Sequence, residues 1–231
     1  MFYTKNLTIF LLFFLLSTIG FAQNSIDDTD IYGLNPIVYN GEVYNYFPGV
    51  GVLGHQYFDQ ETFTSGCIHI RGTKYDNVLL NYDILNQELI LKYTDQQGAN
   101  RLLKVSKAWL QKFKIGDEEF SFITSPENKK LIVQIVQEGT FQLSVFWSKK
   151  LVADINFVSE HYVFDKKHRT LFIAFKNKLI EYKSSKTIMA LLSKAEQEKA
   201  KNFMKINKIK SRTSSLDQIG ELIAYCNTLV Q

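Results

Sequence analysis

The sequence predicts a mainly β protein: an antiparallel meander, forming a curved sheet, a sandwich or a half-barrel, precedes two C-terminal amphipathic helices. Three observations support this fold class. Over most of residues 37–183, apolar residues alternate with polar ones, and turn residues interrupt the alternation at short intervals. No helical pattern separates the strands, so we expect hairpin connections. Phe, Tyr and Trp form 14% of the chain, and these residues favour strands.

The 231 residues divide into four predicted segments. They are a signal peptide over 1–22, a flexible N-terminal segment over 23–36, an antiparallel β domain over 37–183 and a helical segment over 184–231 that packs on the β domain. This length is sufficient for one large hydrophobic core. The hydrophobic content of 45% is typical of globular proteins, and the formal net charge of +4 is too small to indicate a nucleic-acid partner.

The N-terminal segment has the layout of a secretory signal peptide. Lys5 supplies positive charge, an apolar run extends over 7–19, and Gly20 and Ala22 are small residues at the −3 and −1 positions of a cleavage site. The apolar run is shorter than the ~20 residues of a membrane-spanning helix. We therefore expect export to the periplasm or the cell surface, and a mature chain that begins at Gln23 without a transmembrane span.

The strands of the β domain are predicted from alternating apolar residues and from the turns between them. Residues 78–84 and 89–93 form a predicted hairpin with Asn86-Gln87 in its turn. Gly116-Asp117 and Glu138-Gly139 are turn residues of two further hairpins. Further strands are expected at residues 113–115, 120–122, 131–136, 141–147, 161–164, 171–175 and 179–182.

After Tyr182 the apolar residues recur at helical spacing. The first predicted helix starts at Ser184 or Ser185 as its N-cap and ends before the polar run 210–214; the second begins with a capping box of Ser215 and Gln218. The apolar stripe of the first helix is Ile188, Leu191, Leu192, Ala195, Phe203 and Ile206, and that of the second is Leu216, Ile219, Leu222, Ile223, Cys226 and Leu229. Each helix has one apolar face, which we expect to pack on the sheet or on the other helix.

The chain has two cysteines, Cys67 and Cys226, and an exported protein can keep a disulfide. On its predicted strand Cys67 shares a face with His69 and Arg71, whereas Cys226 lies on the apolar stripe of the second helix. The two thiols meet only if that helix covers the polar face of the strand. A disulfide and two separate thiols both remain as interpretations.

No residue pattern predicts catalysis, a cofactor or a metal ion. Residues 49–54 have the spacing G-x-G-x-x-G, but no helical pattern follows them, so we interpret them as a glycine loop. The four histidines lack metal-ligand spacing. His55 with Asp59, or His69 with Cys67, lacks the third partner of a catalytic arrangement. We therefore predict no catalytic residues, no cofactor and no metal site.

Two sets of residues are candidates for binding a partner. The first comes from an aromatic-rich early segment and comprises Tyr44, Tyr46, Tyr57 and Phe58, because exposed aromatic side chains dominate many binding surfaces. The second comprises Lys194, Lys201, Lys205 and Lys208 on the polar side of the first predicted helix. Such a basic amphipathic helix can contact an anionic surface, and an ordinary solvated face is the alternative.

Three passages resemble a known group of proteins: residues 75–84, the Gln137–Gly139 hairpin, and residues 221–227. They resemble a family of exported, uncharacterised β-rich proteins of Bacteroidota-type cell envelopes, and the similarity covers roughly residues 37–230. The resemblance implies an envelope location and a β-rich body with a helical tail. It assigns no catalytic residues to this chain.

The sequence therefore predicts an exported, non-catalytic envelope protein that acts as an interaction or accessory module for a protein or glycan partner. A subunit of a secretion or transport machine is one form of this function. The alternative is a periplasmic hydrolase or small-ligand carrier that uses the concave face of the sheet.

Overall fold

The computed structural model of this protein describes residues 42–95, 97–154 and 161–230. The predicted signal peptide and the predicted flexible N-terminal segment both lie outside the described residues. The described part of the chain is mainly β, with an antiparallel sheet and with its three helices near the C-terminus. None of these helices is long and apolar enough to cross a membrane.

The secondary structure follows the predicted succession of strands and then helices. The strands are β1 Glu42–Val43, β2 Thr64–Ile70, β3 Thr73–Asp83, β4 Glu88–Thr94, β5 Asn100–Lys104, β6 Leu110–Ile115, β7 Glu118–Thr124, β8 Lys130–Gln137, β9 Gln142–Ser148, β10 Leu151–Asp154, β11 His161–Phe164, β12 His168–Phe175 and β13 Lys178–Glu181. The helices are α1 Ser185–Met189, α2 Lys194–Ile206 and α3 Leu216–Leu229. Every predicted strand has a counterpart, whereas β1, β5 and β10 have none among the predicted strands.

Eleven of the described strands form one sheet in the order β1-β5-β4-β3-β2-β6-β7-β8-β9-β12-β13, and β10 pairs only with β11 in a separate ribbon. All of these strand pairs are antiparallel, as predicted. The order departs from a simple meander at β6, which pairs with β2 instead of β5. This pairing places Phe113 opposite Ile68, so that two buried side chains lie on the same face.

The core contains aromatic residues from neighbouring strands and from strands that are distant in the sheet order. The rings of Phe113 and Phe120, on β6 and β7, are stacked with their centroids 4.8 Å apart. Tyr82 on β3 lies 5.3 Å from Phe120, although β2 and β6 separate the two strands. Gln87 Nε2, in the β3–β4 turn, donates a hydrogen bond to the carbonyl of Trp147 on β9 at 2.9 Å. The two halves of the sheet therefore contact each other through side chains.

Helix α3 packs on β8 and β9 and begins as predicted. Ser215 Oγ accepts a hydrogen bond from Gln218 N, and Gln218 Oε1 accepts one from Ser215 N, both at 3.2 Å. This capping box satisfies two backbone donors at the helix start. The stripe residues that the structure buries are Ile219, Leu222, Ile223 and Cys226.

The first predicted helix is wrong as a single helix, because the chain divides it into α1 and α2. Ser193 has the extended backbone of an N-cap (φ −65°, ψ 162°), and it forms a capping box with Glu196. A new helix therefore starts at Lys194. Ala200 is the buried residue of α2, whereas the predicted stripe residues Ala195 and Ile206 are exposed, Ile206 to 69%.

Both cysteines are free thiols. Ile68 is buried and faces the core. It belongs to the same buried cluster as Leu222 and Cys226. Because neighbouring residues of a strand face opposite sides, Cys67 lies on the face of β2 away from that cluster. The disulfide interpretation is therefore wrong in this structure: both cysteines are free, and Cys67 faces away from the cluster that contains Cys226.

Candidate functional site

An irregular segment between β1 and β2, residues 44–63, lies across the end of β3; we call it the strap. Phe58 N donates to the carbonyl of Tyr82 at 2.8 Å, and Ile84 N donates to the carbonyl of Gln56 at 3.0 Å. Lys149 Nζ donates to the carbonyls of His55 and Tyr57, at 2.8 and 3.0 Å. These bonds attach the strap to β3 and to the segment that follows β9.

A buried carboxylate anchors the start of the strap. Tyr44 Oη donates to Asp83 Oδ2 at 2.9 Å, and Gln56 Nε2 donates to Tyr44 Oη at 2.9 Å. Asp83 Oδ1 accepts from the amides of Leu85 and Asn86, both at 2.9 Å. Burial, the largest cause, raises the pKa of Tyr44, so the hydroxyl stays protonated. Tyr44 is only 3% exposed and holds the strap, which corrects its predicted place on a partner-binding surface.

The other predicted aromatic residues are half-buried. The ring of Tyr57 stacks near that of His55, with centroids 6.0 Å apart. Phe58 contacts the core: its ring lies edge-on to those of Phe120 and Trp147, at 5.3 and 5.7 Å. Phe58 therefore links the strap to the core and still reaches the surface.

Beside Phe58 lies a pocket of about 330 Å³, which we call the rim pocket. Four separate parts of the chain form it: the strap with the first residue of β2, then β3, the β6–β7 turn and the loop between β11 and β12. Its polar side chains include Asp59, Gln60, Thr62, Asn81, Glu118 and Lys167. Most of these side chains can donate or accept hydrogen bonds to a ligand.

Asn81 shapes the strap wall of the rim pocket. Its Nδ2 donates to the carbonyl of Gln60 at 2.9 Å and lies 3.3 Å from the carbonyls of Glu61 and Thr62. Gln60 Nε2 in turn donates to Thr64 Oγ1 at 3.2 Å. Asn81 is buried on β3, so its amide has a fixed position. It therefore holds this part of the strap as a wall of the pocket.

The opposite wall is ordered by a chain of hydrogen bonds that starts in the core. Trp147 Nε1 donates to Gln134 Oε1 at 2.7 Å, and Gln134 Nε2 donates to Glu118 Oε2. Lys167 Nζ donates to the carbonyl of Phe58 at 3.3 Å and lies 4.2 Å from the centre of the Phe58 ring. A carboxylate and an ammonium group therefore have defined positions at the pocket.

The polar side chains of the rim pocket suit the binding of a ligand. The neighbouring His55 instead forms a hydrogen bond within the strap. His55 Nδ1 accepts a hydrogen bond from Tyr57 N at 3.2 Å. Burial, followed by the nearby positive charge of Lys149, lowers the pKa of His55 below its usual value. Burial, followed by the charge of Lys167, also lowers the pKa of Lys149. Within the described ranges, no three His, Cys, Asp or Glu residues could hold a metal ion.

The four predicted lysines are exposed, but they do not all lie on one helix. Lys194 starts α2, and Lys201 forms an ion pair with Glu198 at 2.7 Å. Lys205 lies in the last turn of α2, whereas Lys208 follows the helix with a φ of +54°. The structure therefore places three of these lysines on one helix and the fourth beyond its end.

Sequence reasoning missed most of the rim pocket. Phe58 was a candidate because of its aromatic ring, whereas Asn81, Glu118 and Lys167 are ordinary polar residues within their own segments. No spacing relates them, because they come from distant parts of the chain. Comparison of the chain with protein-family models, curated proteins and solved structures finds no match.

Proposed function

We propose that this chain is an exported, non-catalytic envelope protein that acts as an interaction or accessory module for a protein or glycan partner, for example within a secretion or transport machine. The observation that carries the proposal is the rim pocket, where polar groups from four parts of the chain surround Phe58. The polar lining of the pocket favours a glycan as the partner. The predicted signal peptide supports the export part of the proposal.

The chemistry of the pocket matches a ligand with many hydroxyl groups. Carboxylates such as Glu118 accept hydrogen bonds, the ammonium of Lys167 donates them, and the hydroxyl of Thr62 does both. Pockets for small ligands typically have volumes of about 300–1,000 Å³, so that about 330 Å³ suits a short saccharide or the end of a chain. The half-buried ring of Phe58 adds an apolar surface between these polar groups.

We also infer that the eleven-stranded sheet is curved. The contacts between Tyr82 and Phe120 and between Gln87 and Trp147 support this inference, because each joins strands that are far apart in the sheet order. The residues between the two halves are tightly packed: Tyr82, Phe113 and Phe120 are at most 1% exposed. A hydrolase or carrier that uses the concave face would need open space there, so this alternative is the weaker one.

The export part of the proposal is tested by N-terminal sequencing of the protein recovered from the envelope of its host. We expect the sequence Gln23-Asn24-Ser25, since Ala22 precedes the predicted cleavage site. A recovered protein that still starts at Met1 would contradict export by cleavage.

The binding part is tested by calorimetric titration of the protein with soluble peptidoglycan fragments and with a neutral glucan. The double variant Asp59→Asn and Asp117→Asn removes two exposed carboxylates at the pocket while keeping the shape of the side chains. We expect at least about tenfold weaker binding, as for the loss of one or two net hydrogen bonds.

Glu127→Gln is the matched control, because Glu127 is an exposed carboxylate in the β7–β8 turn, outside the pocket lining. Equal binding by the double variant and the control would contradict a glycan site in the pocket. If instead only an envelope protein is retained, and the double variant loses it, the partner is a protein.

A further inference from the structure

The ribbon formed by β10 and β11 has a third, shorter neighbour in the strap. Leu53 N donates to the carbonyl of Tyr162 at 3.1 Å, and Phe164 N donates to the carbonyl of Leu53 at 3.0 Å. Leu53 thus pairs beside Val163 in a parallel bridge, and Val163 pairs with Val152 on its other side. Leu53, Val163 and Val152 form a row of aliphatic side chains on one face.

The hydrogen bonds of the ribbon determine which backbone groups of β10 point outward. In antiparallel strands, bonded and non-bonded pairs alternate. The carbonyl of Tyr162 and the amide of Phe164 point towards Leu53. The backbone groups of Val163, between them, therefore point towards β10, so Val152–Val163 is a hydrogen-bonded pair. The amides and carbonyls of Leu151 and Ala153 therefore point to the edge of β10 away from β11. Among the described strands, none pairs with that edge.

This edge is unusually apolar for an exposed strand. Leu151 and Val152 are 37% and 38% exposed, although their side chains lie on opposite faces of the ribbon. The edge strands of the main sheet carry charges instead: β1 has the Glu42–Lys104 ion pair, and β13 has exposed Lys178 and Glu181. Charges of this kind protect sheet edges from pairing. Charged residues flank the outward edge of β10, but Leu151–Ala153, the part that would pair, contains none.

We propose that the edge of β10 pairs with the same edge of a second copy of this chain, in an antiparallel arrangement with its two-fold axis at Val152. This register joins the outward groups of Leu151 to those of Ala153 of the partner subunit, and those of Ala153 to Leu151 of the partner subunit, with four hydrogen bonds in total. It extends the row of Leu53, Val163 and Val152 into a six-residue row across the dimer. The proposal is independent of the rim pocket.

The sequence of β10 suits this occupant because it is self-complementary. Val152 lies opposite Val152 of the partner subunit in a non-hydrogen-bonded pair, where side chains approach most closely. Leu151 lies opposite a small residue, Ala153 of the partner subunit. A two-fold axis with matching patches is the commonest arrangement of protein dimers.

The test is sedimentation velocity of the purified protein over a range of concentrations. We expect a monomer–dimer equilibrium, which Val152→Lys and Val152→Glu each weaken by about tenfold or more, since like charges then meet at the axis. An equimolar mixture of the two variants should regain the dimer, because lysine then faces glutamate. Val50→Lys is the matched control: Val50 is fully exposed but lies outside the edge, so this variant should dimerise like the unmodified protein.

Amide hydrogen exchange gives a second readout. Exchange at Leu151 and Ala153 should slow as the protein concentration rises, while that at Val152 should be slow throughout. A protein that stays monomeric, a dimer that Val152→Lys leaves intact, or a mixture that does not regain the dimer would each overturn the proposal. Equal loss of the dimer in Val50→Lys would also overturn it, because nonspecific apolar association would then explain the dimer.

Discussion

Asn227 on α3 and Phe141 beside β9 are joined by a pair of hydrogen bonds. Phe141 N donates to Asn227 Oδ1 at 2.7 Å, and Asn227 Nδ2 donates to the carbonyl of Phe141 at 3.0 Å. Asn227 Nδ2 also donates to the carbonyl of Glu138 at 3.2 Å. One buried amide thus satisfies backbone groups of the β8–β9 turn that the strands leave unpaired.

The first prediction concerns the energy of this contact. Asn227→Ala should lower the free energy of unfolding by about 1–3 kcal/mol, because it leaves buried backbone groups of the turn without partners. Urea unfolding monitored by circular dichroism measures the change. Glu221→Ala is the matched control, since Glu221 is exposed on the same helix and should change stability by less than about 0.5 kcal/mol.

The close approach of Gly139 to this amide extends the same prediction. A Cβ atom at Gly139 would lie 2.5 Å from Asn227 Nδ2, and the φ of +140° adds backbone strain for any side chain. Gly139→Ala should therefore destabilise the protein, but less so in the Asn227→Ala background, where the clash is absent. Additive effects in this double-mutant cycle would contradict a direct contact between the two sites.

The second prediction tests the buried face of α3. Leu222→Asp or Ile223→Asp should lower the free energy of unfolding by several kcal/mol, because each residue is fully buried and the new charge would have no partner. Thermal unfolding measures this loss. Thr228→Asp is the control, as Thr228 is exposed on the same helix. An unchanged melting temperature for Leu222→Asp would mean that α3 does not pack on the sheet in solution.

The third prediction is a pH dependence that arises at His55. Burial and Lys149 lower the pKa of His55 in the folded protein, so the unfolded chain binds more protons just below the usual histidine pKa of about 6.5. Stability should therefore fall as the pH decreases through the window between that value and the lowered pKa. His55→Asn keeps an acceptor for Tyr57 N and should make stability less dependent on pH in this window.

Urea unfolding at several pH values measures this dependence, and the NMR titration of the His55 ring gives its pKa directly. A His55→Asn variant with the same slope as the unmodified protein would place the effect at another group.

The fourth prediction concerns the exposed lysines of α2. If Lys194 and Lys205 contact an anionic envelope surface, reversing both to Glu should reduce retention on anionic vesicles on the order of tenfold or more, at about 1 kcal/mol for each lysine. Retention should also weaken with salt, because exposed charges are screened. The double reversal of Lys129 and Lys178 gives the same change in net charge at exposed sites outside α2. Retention that does not change with salt concentration, or that falls equally in both double variants, would contradict a contact through α2. These lysines would then form an ordinary solvated face.

The β3–β4 hairpin and helix α3 were predictable from the sequence because their signals are local. Asn86-Gln87 separates two alternating runs, and Gln87 takes the positive φ of +58° that the turn requires. Ser215 and Gln218 are three residues apart, so they satisfy each other's backbone amides within one helical turn. Ser193 and Glu196 have the same spacing and form the same capping box, so the break between α1 and α2 also has a local signal in the sequence.

The candidate site was much less predictable. Phe58 could be selected from the sequence, but Asn81, Glu118 and Lys167 reach the rim pocket only because β3, the β6–β7 turn and the β11–β12 loop end at the same place. Likewise, the aromatic-rich segment predicts an exposed Tyr44, whereas its hydrogen bond to Asp83, 39 residues further on, holds it in a buried position. Such groupings depend on long-range contacts, which no local pattern encodes.

By itself, the sequence determined that the described chain alternates through antiparallel strands and ends in helices with one apolar face. Only the tertiary structure decided that β6 pairs with β2, and that α3 packs on β8 and β9 with Cys226 in the same buried cluster as Ile68. Cys67, on the other face of β2, is therefore separated from Cys226. Alternation gives each strand two chemically different faces and thus predicts its local conformation. Which strand lies beside it, and which helix covers it, depends on how the apolar faces of distant segments fit together in one core.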